Sequence, residues 1–258
     1  MDTILFEIKE NVAILTLNRP EKFNAFNREM ALLLQKRLDD CTIDKNIRAV
    51  YITATGKAFS SGQDITELVG GDISTIEKAV SECYNPIITK IRNIEKPVIC
   101  AVNGVAAGAG ANIALCADVV VAPESALFTQ AFSKIGLIPD CGGTFILPRL
   151  IGFQKASALM MLGDKINAVD AEKLGMIYKV FPDAIFVEES MKIAITLSKL
   201  PTKALAYTKQ ALNLSLHHSL EQQLHVEDQL QYAAANTSDF KEGIQAFLEK
   251  RLPQFKGE

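Results

Sequence analysis

Two short runs of small residues are the parts of this 258-residue chain best suited to chemistry. Phe59-Ser-Ser-Gly-Gln63 and Ala107-Gly-Ala-Gly110 each follow a stretch that reads as a strand. The longer run Gly104-Val-Ala-Ala-Gly-Ala-Gly110 lacks bulky side chains, so a ligand can approach its backbone closely. A helix starting there presents N–H groups that have no intrahelical partner. Two such groups converging from the two loops would form an oxyanion hole, where one donor is typically worth about 3 kcal/mol of transition-state stabilisation. The same glycines are also explained by tight strand-to-helix turns, an alternative that spacing alone does not displace.

Other chemistries lack their residues. The chain has no Gly-x-Ser-x-Gly elbow, no His-Glu-x-x-His and no Gly-Lys-Ser/Thr phosphate loop. Gly108-Ala-Gly110 stands where a dinucleotide fingerprint would, but Ile113 occupies the third glycine position. The histidines are His217, His218 and His225, and the adjacent pair cannot share one helix face. Solvent exposure is expected for them, and no metal site.

The elements that must position the loops follow from periodicity. A buried strand is expected at 98–102, a small-residue helix at about 109–116 and a strand at 118–122. Upstream, residues 3–8 and 12–18 alternate around Glu10-Asn11 as a hairpin. From Phe26 to Cys41 the apolar positions fall at helical spacing, 49–53 reads as a buried strand, and 81–92 as a helix. The polar, glycine-containing segment 66–80 predicts mobility. Downstream, 147–162 reads as helix broken by Gly152, 168–174 as a short helix and 179–181 as a last strand. Helices are then expected over 185–199, 202–215, 218–235 and 239–250. Alternating strands and helices followed by helices alone indicate a layered α/β core, with no internal sequence repeat.

Composition narrows the partners. The chain is 48% hydrophobic and 22% charged with net charge −3 and no Lys/Arg cluster, which speaks against nucleic acid. No uninterrupted apolar run reaches bilayer length, so no membrane is expected. The N-terminus lacks a secretory pattern, and the five scattered cysteines contain no Cys-x-x-Cys. Mostly buried thiols in a reducing cytoplasm are the expectation.

Three motifs carry a family resemblance: Lys57-Ala-Phe-Ser-Ser-Gly-Gln-Asp-Ile65, Lys96-Pro-Val-Ile-Cys-Ala-Val-Asn-Gly104 and Gly136-Leu-Ile-Pro-Asp-Cys-Gly-Gly-Thr144. They closely resemble the crotonase (enoyl-CoA hydratase/isomerase) superfamily, from Leu17-Asn-Arg-Pro20 to the closing Glu242–Arg251 segment. The resemblance implies an α/β fold, a spiral of ββα units over 1–200 with a helical trimerisation region over 201–258. It implies an acyl-CoA substrate, with coenzyme A as part of that substrate and no further cofactor. The partners it implies are copies of the same chain, in a homotrimer or dimer of trimers, and possibly a second crotonase-family enzyme. The matching oxyanion donors are the backbone N–H groups of Gln63 and Ala109. The ester would run along Lys22, Ala25, Lys57, Ala58, Ser60, Asp64 and Ile65, past Gly110 and Phe132, with Lys256 near the nucleotide. Lys22, Lys57 and Lys256 read equally well as ordinary surface lysines.

Hydratases of the superfamily carry two glutamates, and at the matching positions this chain has Asn112 and Phe132, neither of which moves a proton. Some of its isomerases keep a single acid where this chain has Asp140. One carboxylate suffices to take a proton from one carbon and return it to another, and an apolar pocket would raise its pKa. Asp140 is also well placed to cap the helix after Pro139. With no rival carboxylate, the expectation is an acyl-CoA isomerase with Asp140 as the proton carrier. Within the superfamily the resemblance is strongest to the ring-1,2-epoxyphenylacetyl-CoA isomerase branch, which rearranges a ring epoxide. The alternatives are a 2-enoyl-CoA hydratase that recruits Asp140 and a weakly catalytic acyl-CoA-binding subunit of a partner enzyme.

Overall fold

The computed structural model describes residues 2–67 and 73–258. Its strands in chain order are β1 (Ile4–Lys9), β2 (Val12–Leu17), β3 (Ala49–Ala54), β4 (Ala58–Ser60), β5 (Val98–Ala101), β6 (Val105–Ala107), β7 (Val119–Pro123), β8 (Leu127–Thr129), β9 (Lys165–Asn167) and β10 (Lys179–Phe181). The hairpin β1–β2 turns at Glu10 and Asn11, both left-handed at φ 49° and 62°, the backbone twist that two-residue hairpins favour.

The larger sheet has the order β1-β2-β3-β5-β7-β10, and every pair after the hairpin is parallel. Its faces separate by the two-residue period. Ala13, Leu15, Leu17, Val50, Ile52 and Cys100 enter the main core, while Val12, Ile14, Ala49, Tyr51, Ile99 and Ala101 enter a second. Burial on both faces is why these strands read as continuous apolar runs. The second face is covered by the helix Phe186–Lys199, where the Tyr51 hydroxyl meets Ser190 Oγ at 2.8 Å.

The sequence reading missed a second sheet of four strands, β4-β6-β8-β9. Each of these is three residues long, too short for alternation to show, and β6 lies inside the run read as a turn. This sheet makes the spiral visible. β3, β5 and β7 each lead into a short strand of the second sheet and then into helical structure. The unit ββα therefore recurs in the backbone without any recurring side-chain pattern.

The helices are α1 (Arg28–Ile43), α2 (Ile73–Lys78), α3 (Asn85–Asn93), α4 (Ala109–Leu115), α5 (Gly143–Ile151), α6 (Phe153–Leu162), α7 (Ala168–Lys173), α8 (Phe186–Lys199), α9 (Thr202–Ser215), α10 (Leu220–Ala235) and α11 (Ser238–Glu249). Phe26 lies outside α1, because the Asn27 side chain accepts from Met30 N and starts the helix there. The expected helix at 81–92 begins earlier, at Ile73, and contains a π-helical turn over Ala79–Tyr84. Pro86 explains the widening: it cannot donate to Glu82 and its ring would crowd that carbonyl. The Gln35 amide takes up the loosened carbonyls, donating to Glu82 O at 2.8 Å and Cys83 O at 3.0 Å. The mobility expected over 66–80 falls partly on 68–72, which lie outside the described residues. His217 and His225 are exposed, whereas His218 is half-buried.

Candidate active site

The site is built where β4 and β6 end side by side. Phe26 forms a parallel bridge with Gln63: Phe26 N donates to Gly62 O (2.7 Å) and Asp64 N to Phe26 O (2.9 Å). Those bonds use the groups flanking Gln63, so the N–H of Gln63 points away from Phe26. Gly62, at φ +95°, has no room for a side chain; a Cβ there would sit 3.0 Å from Ala107 O and 3.5 Å from Ala109 N. The Gln63 loop is thereby packed against the amide of Ala109, the first residue of α4, whose N–H has no intrahelical partner. Gly110 presses the helix onto β4, since a Cβ there would lie 2.5 Å from Ser60 Cβ and 2.9 Å from Ser60 O. Both loops expected from the sequence are brought together, with Gly62 packed against the amide of Ala109.

A polar brace beneath them fixes the approach. Buried Asn24 donates to Thr55 O and Ala58 O, both at 2.8 Å, and its Oδ1 accepts from Arg19 N at 2.7 Å. Ser60 Oγ donates to Asn24 O (2.8 Å) and accepts from Gly62 N (3.1 Å). Arg19 donates to Ala25 O and pairs with Asp64 at 2.9 Å. The hydrogen bond from Thr66, with help from Arg19, holds the Asp64 carboxyl below its ordinary value against the effect of burial. Ala25, Ala58, Ser60 and Asp64 are therefore buried parts of this brace. Lys22, Lys57, Ile65 and Lys256 are exposed. Lys256 sits in a tail folded back on the chain: Asp239 accepts from Lys256 N at 2.6 Å, and Arg48 donates to Phe255 O at 2.6 Å.

Asp140 stands before α5, and its side chain does not cap that helix. The N-cap is Gly142 with no side-chain bond, and the turn is closed by Gly143 N donating to Asp140 O at 2.9 Å. Asp140 Oδ1 is buried and has no hydrogen-bond partner among the described residues. Burial raises the Asp140 pKa, with the Cys141 thiol opposing. The carboxylate thus leaves the α5 cap to the backbone, and the Cys141 thiol bonds to it.

Buried Asn112 and Gln130 form an amide chain on Asp140: Gln130 Nε2 donates to Asn112 Oδ1 (2.7 Å), and Asn112 Nδ2 to Asp140 O (2.9 Å). Because the terminal carbonyl only accepts, both amide orientations follow from the network. Asn112→Asp would set two acceptors face to face. A loss of about 1–3 kcal/mol is expected, read as a fall of several degrees in Tm. An unchanged melting curve would refute the directed chain. Buried Phe132 closes the other side, its Cζ 3.7 Å from where a Gly108 Cβ would be.

In front of Gln63 opens a cavity of about 610 Å³, lined also by Asn27, Arg28, Glu67, Glu82 and Tyr84. No sequence signal marks these residues, because the wall joins segments from three separate parts of the chain. Glu67 and Glu82 correct the expectation of no rival carboxylate, but both are engaged. Glu67 accepts from Arg28 N at 3.1 Å, and Glu82 pairs with the Arg28 guanidinium at 2.6 Å. Among the described residues no cluster of His, Cys, Asp or Glu could hold a metal ion, and all five cysteines are free and buried.

Residues 7–258 match the enoyl-CoA hydratase/isomerase family. The chain belongs to this family. A relative from Escherichia coli (strain K12), a 1,2-epoxyphenylacetyl-CoA isomerase, is 43% identical over 100% of this chain and 99% of its own. A 2,3-dehydroadipyl-CoA hydratase from the same organism is 35% identical over 100% of both chains. The crystal structure of an enoyl-CoA hydratase from Bacillus anthracis superposes with a TM-score of 0.94 at 32% identity, covering 99% of this chain and 100% of that one. This hydratase/isomerase chain therefore has relatives of both kinds, and its reaction must be sought in its own side chains.

Proposed function

We propose that the chain is an acyl-CoA isomerase in which Asp140 carries the proton. The observation that carries this reading is the Asp140 carboxylate, buried, unpartnered at Oδ1 and free of the capping role. Asn112 and Phe132 can neither take a proton from a water molecule nor supply one to carbon. The Asp140 carboxylate takes a proton from an acyl carbon, and the electron pair moves onto the thioester oxygen as an enolate. The N–H groups of Gln63 and Ala109 hold that oxygen. Protonated Asp140 then returns the proton to another carbon, so that no atom is gained or lost. Moving a double bond and opening a ring epoxide both suit this arrangement. The test is turnover of a 3-enoyl-CoA, crotonyl-CoA and epoxyphenylacetyl-CoA, each with and without Asp140→Asn. Isomers that vanish in the variant support the reading, and activity indifferent to Asp140 sinks it.

A second reading has Glu67 and Glu82 in its favour, since water addition needs two proton-handling groups and both line the cavity. Hydration of crotonyl-CoA at a rate rivalling isomerisation would establish it.

The same proposal gives Lys22, Lys57 and Lys256 to the CoA phosphates and the exposed Ile65 to the CoA chain. It needs no cofactor beyond that CoA and places the protein in the cytoplasm; among the described residues, no helix is long and apolar enough to cross a membrane. It divides the chain into a core over 1–200 and an assembly region over 201–258. Phe240, Ile244, Phe247 and Leu248 leave apolar surface on α11 that a homotrimer or dimer of trimers would bury. Light scattering is expected to give a multiple of three chains, and a monomer at micromolar concentration would refute the assembly.

A further inference from the structure

Tyr84 is a member of the cavity wall that the mechanism leaves unused. Its side chain is 2% exposed, yet it lines the cavity in front of Gln63, and its hydroxyl has no hydrogen-bond partner among the described residues. The ring is fixed edge-on against Phe26, with centroids 6.4 Å apart and planes at 89°. Phe26 in turn carries the backbone bridge to Gln63, so the phenol is held in register with that amide. Tyr84 also ends the π-helical turn, a distortion that rotates the residues following it relative to a regular helix. Burial pushes its hydroxyl far above the ordinary phenol range, with Cys141 and Asp140 adding to the shift, so it remains a donor at every working pH. Asp140 Oδ1 is buried and unpartnered and lies near enough for its charge to add to that shift, while the Tyr84 hydroxyl opens to the cavity with no protein partner among the described residues.

We propose that Tyr84 is a specificity-determining residue that donates a hydrogen bond to an oxygen on the acyl group, and that the site prefers oxygenated acyl-CoA esters over hydrocarbon ones. A cavity-facing hydroxyl that a bound ligand cuts off from water is costly against an apolar group and favourable against an acceptor, so discrimination arises from both sides. The inference rests on the isomerase reading only for which esters turn over; the binding preference stands apart from it.

The test therefore reads binding first. Dissociation constants of phenylacetyl-CoA and 2-hydroxyphenylacetyl-CoA are measured on the wild-type protein and on Tyr84→Phe, which keeps the ring against Phe26. The wild type is expected to favour the oxygenated ester about 10- to 100-fold, and Tyr84→Phe to erase that preference, weakening the oxygenated ester and binding the hydrocarbon ester as tightly or more tightly. Equal affinities for the two esters in the wild type, or a preference that survives in Tyr84→Phe, would overturn the proposal. So would a loss of affinity for both esters alike, which marks a structural tyrosine. Failure of the isomerase reading is seen separately, as Asp140-independent activity.

Discussion

Asp140→Asn is expected to lower isomerisation about 10²- to 10⁴-fold, the usual worth of a general acid–base, while CoA-ester affinity stays near the wild-type value. The amide is isosteric but accepts no proton from carbon, and the backbone carbonyl that closes the α5 turn is untouched. Folding should not suffer. Because burial raises the folded-state pKa, Asp140 favours folding fully below the unfolded value of about 3.9 and loses that contribution as pH rises through the raised value. At neutral pH the wild type therefore carries a buried charge that the variant lacks, and Tm of Asp140→Asn should equal or exceed it. Activity follows the opposite sign. The base form is the carboxylate, so the acid limb of kcat/KM should fall above the pH at which an exposed aspartate titrates. A pH profile with its limb at an ordinary carboxylate value, or a variant that is inactive because it unfolds, would contradict this account.

Gly110→Ala is expected to cost about 10²- to 10³-fold in kcat/KM, the loss of one oxyanion donor. Its Cβ would lie 2.5 Å from Ser60 Cβ and 2.9 Å from Ser60 O, too close for any real contact, so α4 must move off β4. Ser60 cannot yield easily, since its hydroxyl bonds Asn24 O and receives Gly62 N. The Ala109 and Gln63 amides then part. Overpacking of this kind typically costs about 1–3 kcal/mol as well, so Tm should fall. Gly243→Ala is the control: its methyl would meet only the Phe255 ring at 3.5 Å, and activity should be unchanged. Wild-type turnover by Gly110→Ala would mean that the two amides do not act as a pair.

What the chain by itself determined is what local chemistry can state. The Glu10-Asn11 turn, the break at Gly152 and the last strand at 179–181 all appear where the residues place them. Each depends on neighbours a few positions away, and the same holds for the two small-residue loops. The family was also legible, because its motifs are contiguous. Tertiary structure alone decided three things. It paired three-residue strands into the second sheet, whose stability comes from partners dozens of residues distant and leaves no period behind. It settled whether Asp140 caps or stands free, since that depends on Gly143 N finding the backbone carbonyl and on Asn112 Nδ2 reaching the same atom. And it built the cavity wall, where Pro86 widens a helix so that Tyr84 ends opposite Gln63. Hydrogen-bond partners and burial are properties of atoms brought together across the chain, and no spacing within a sequence records them.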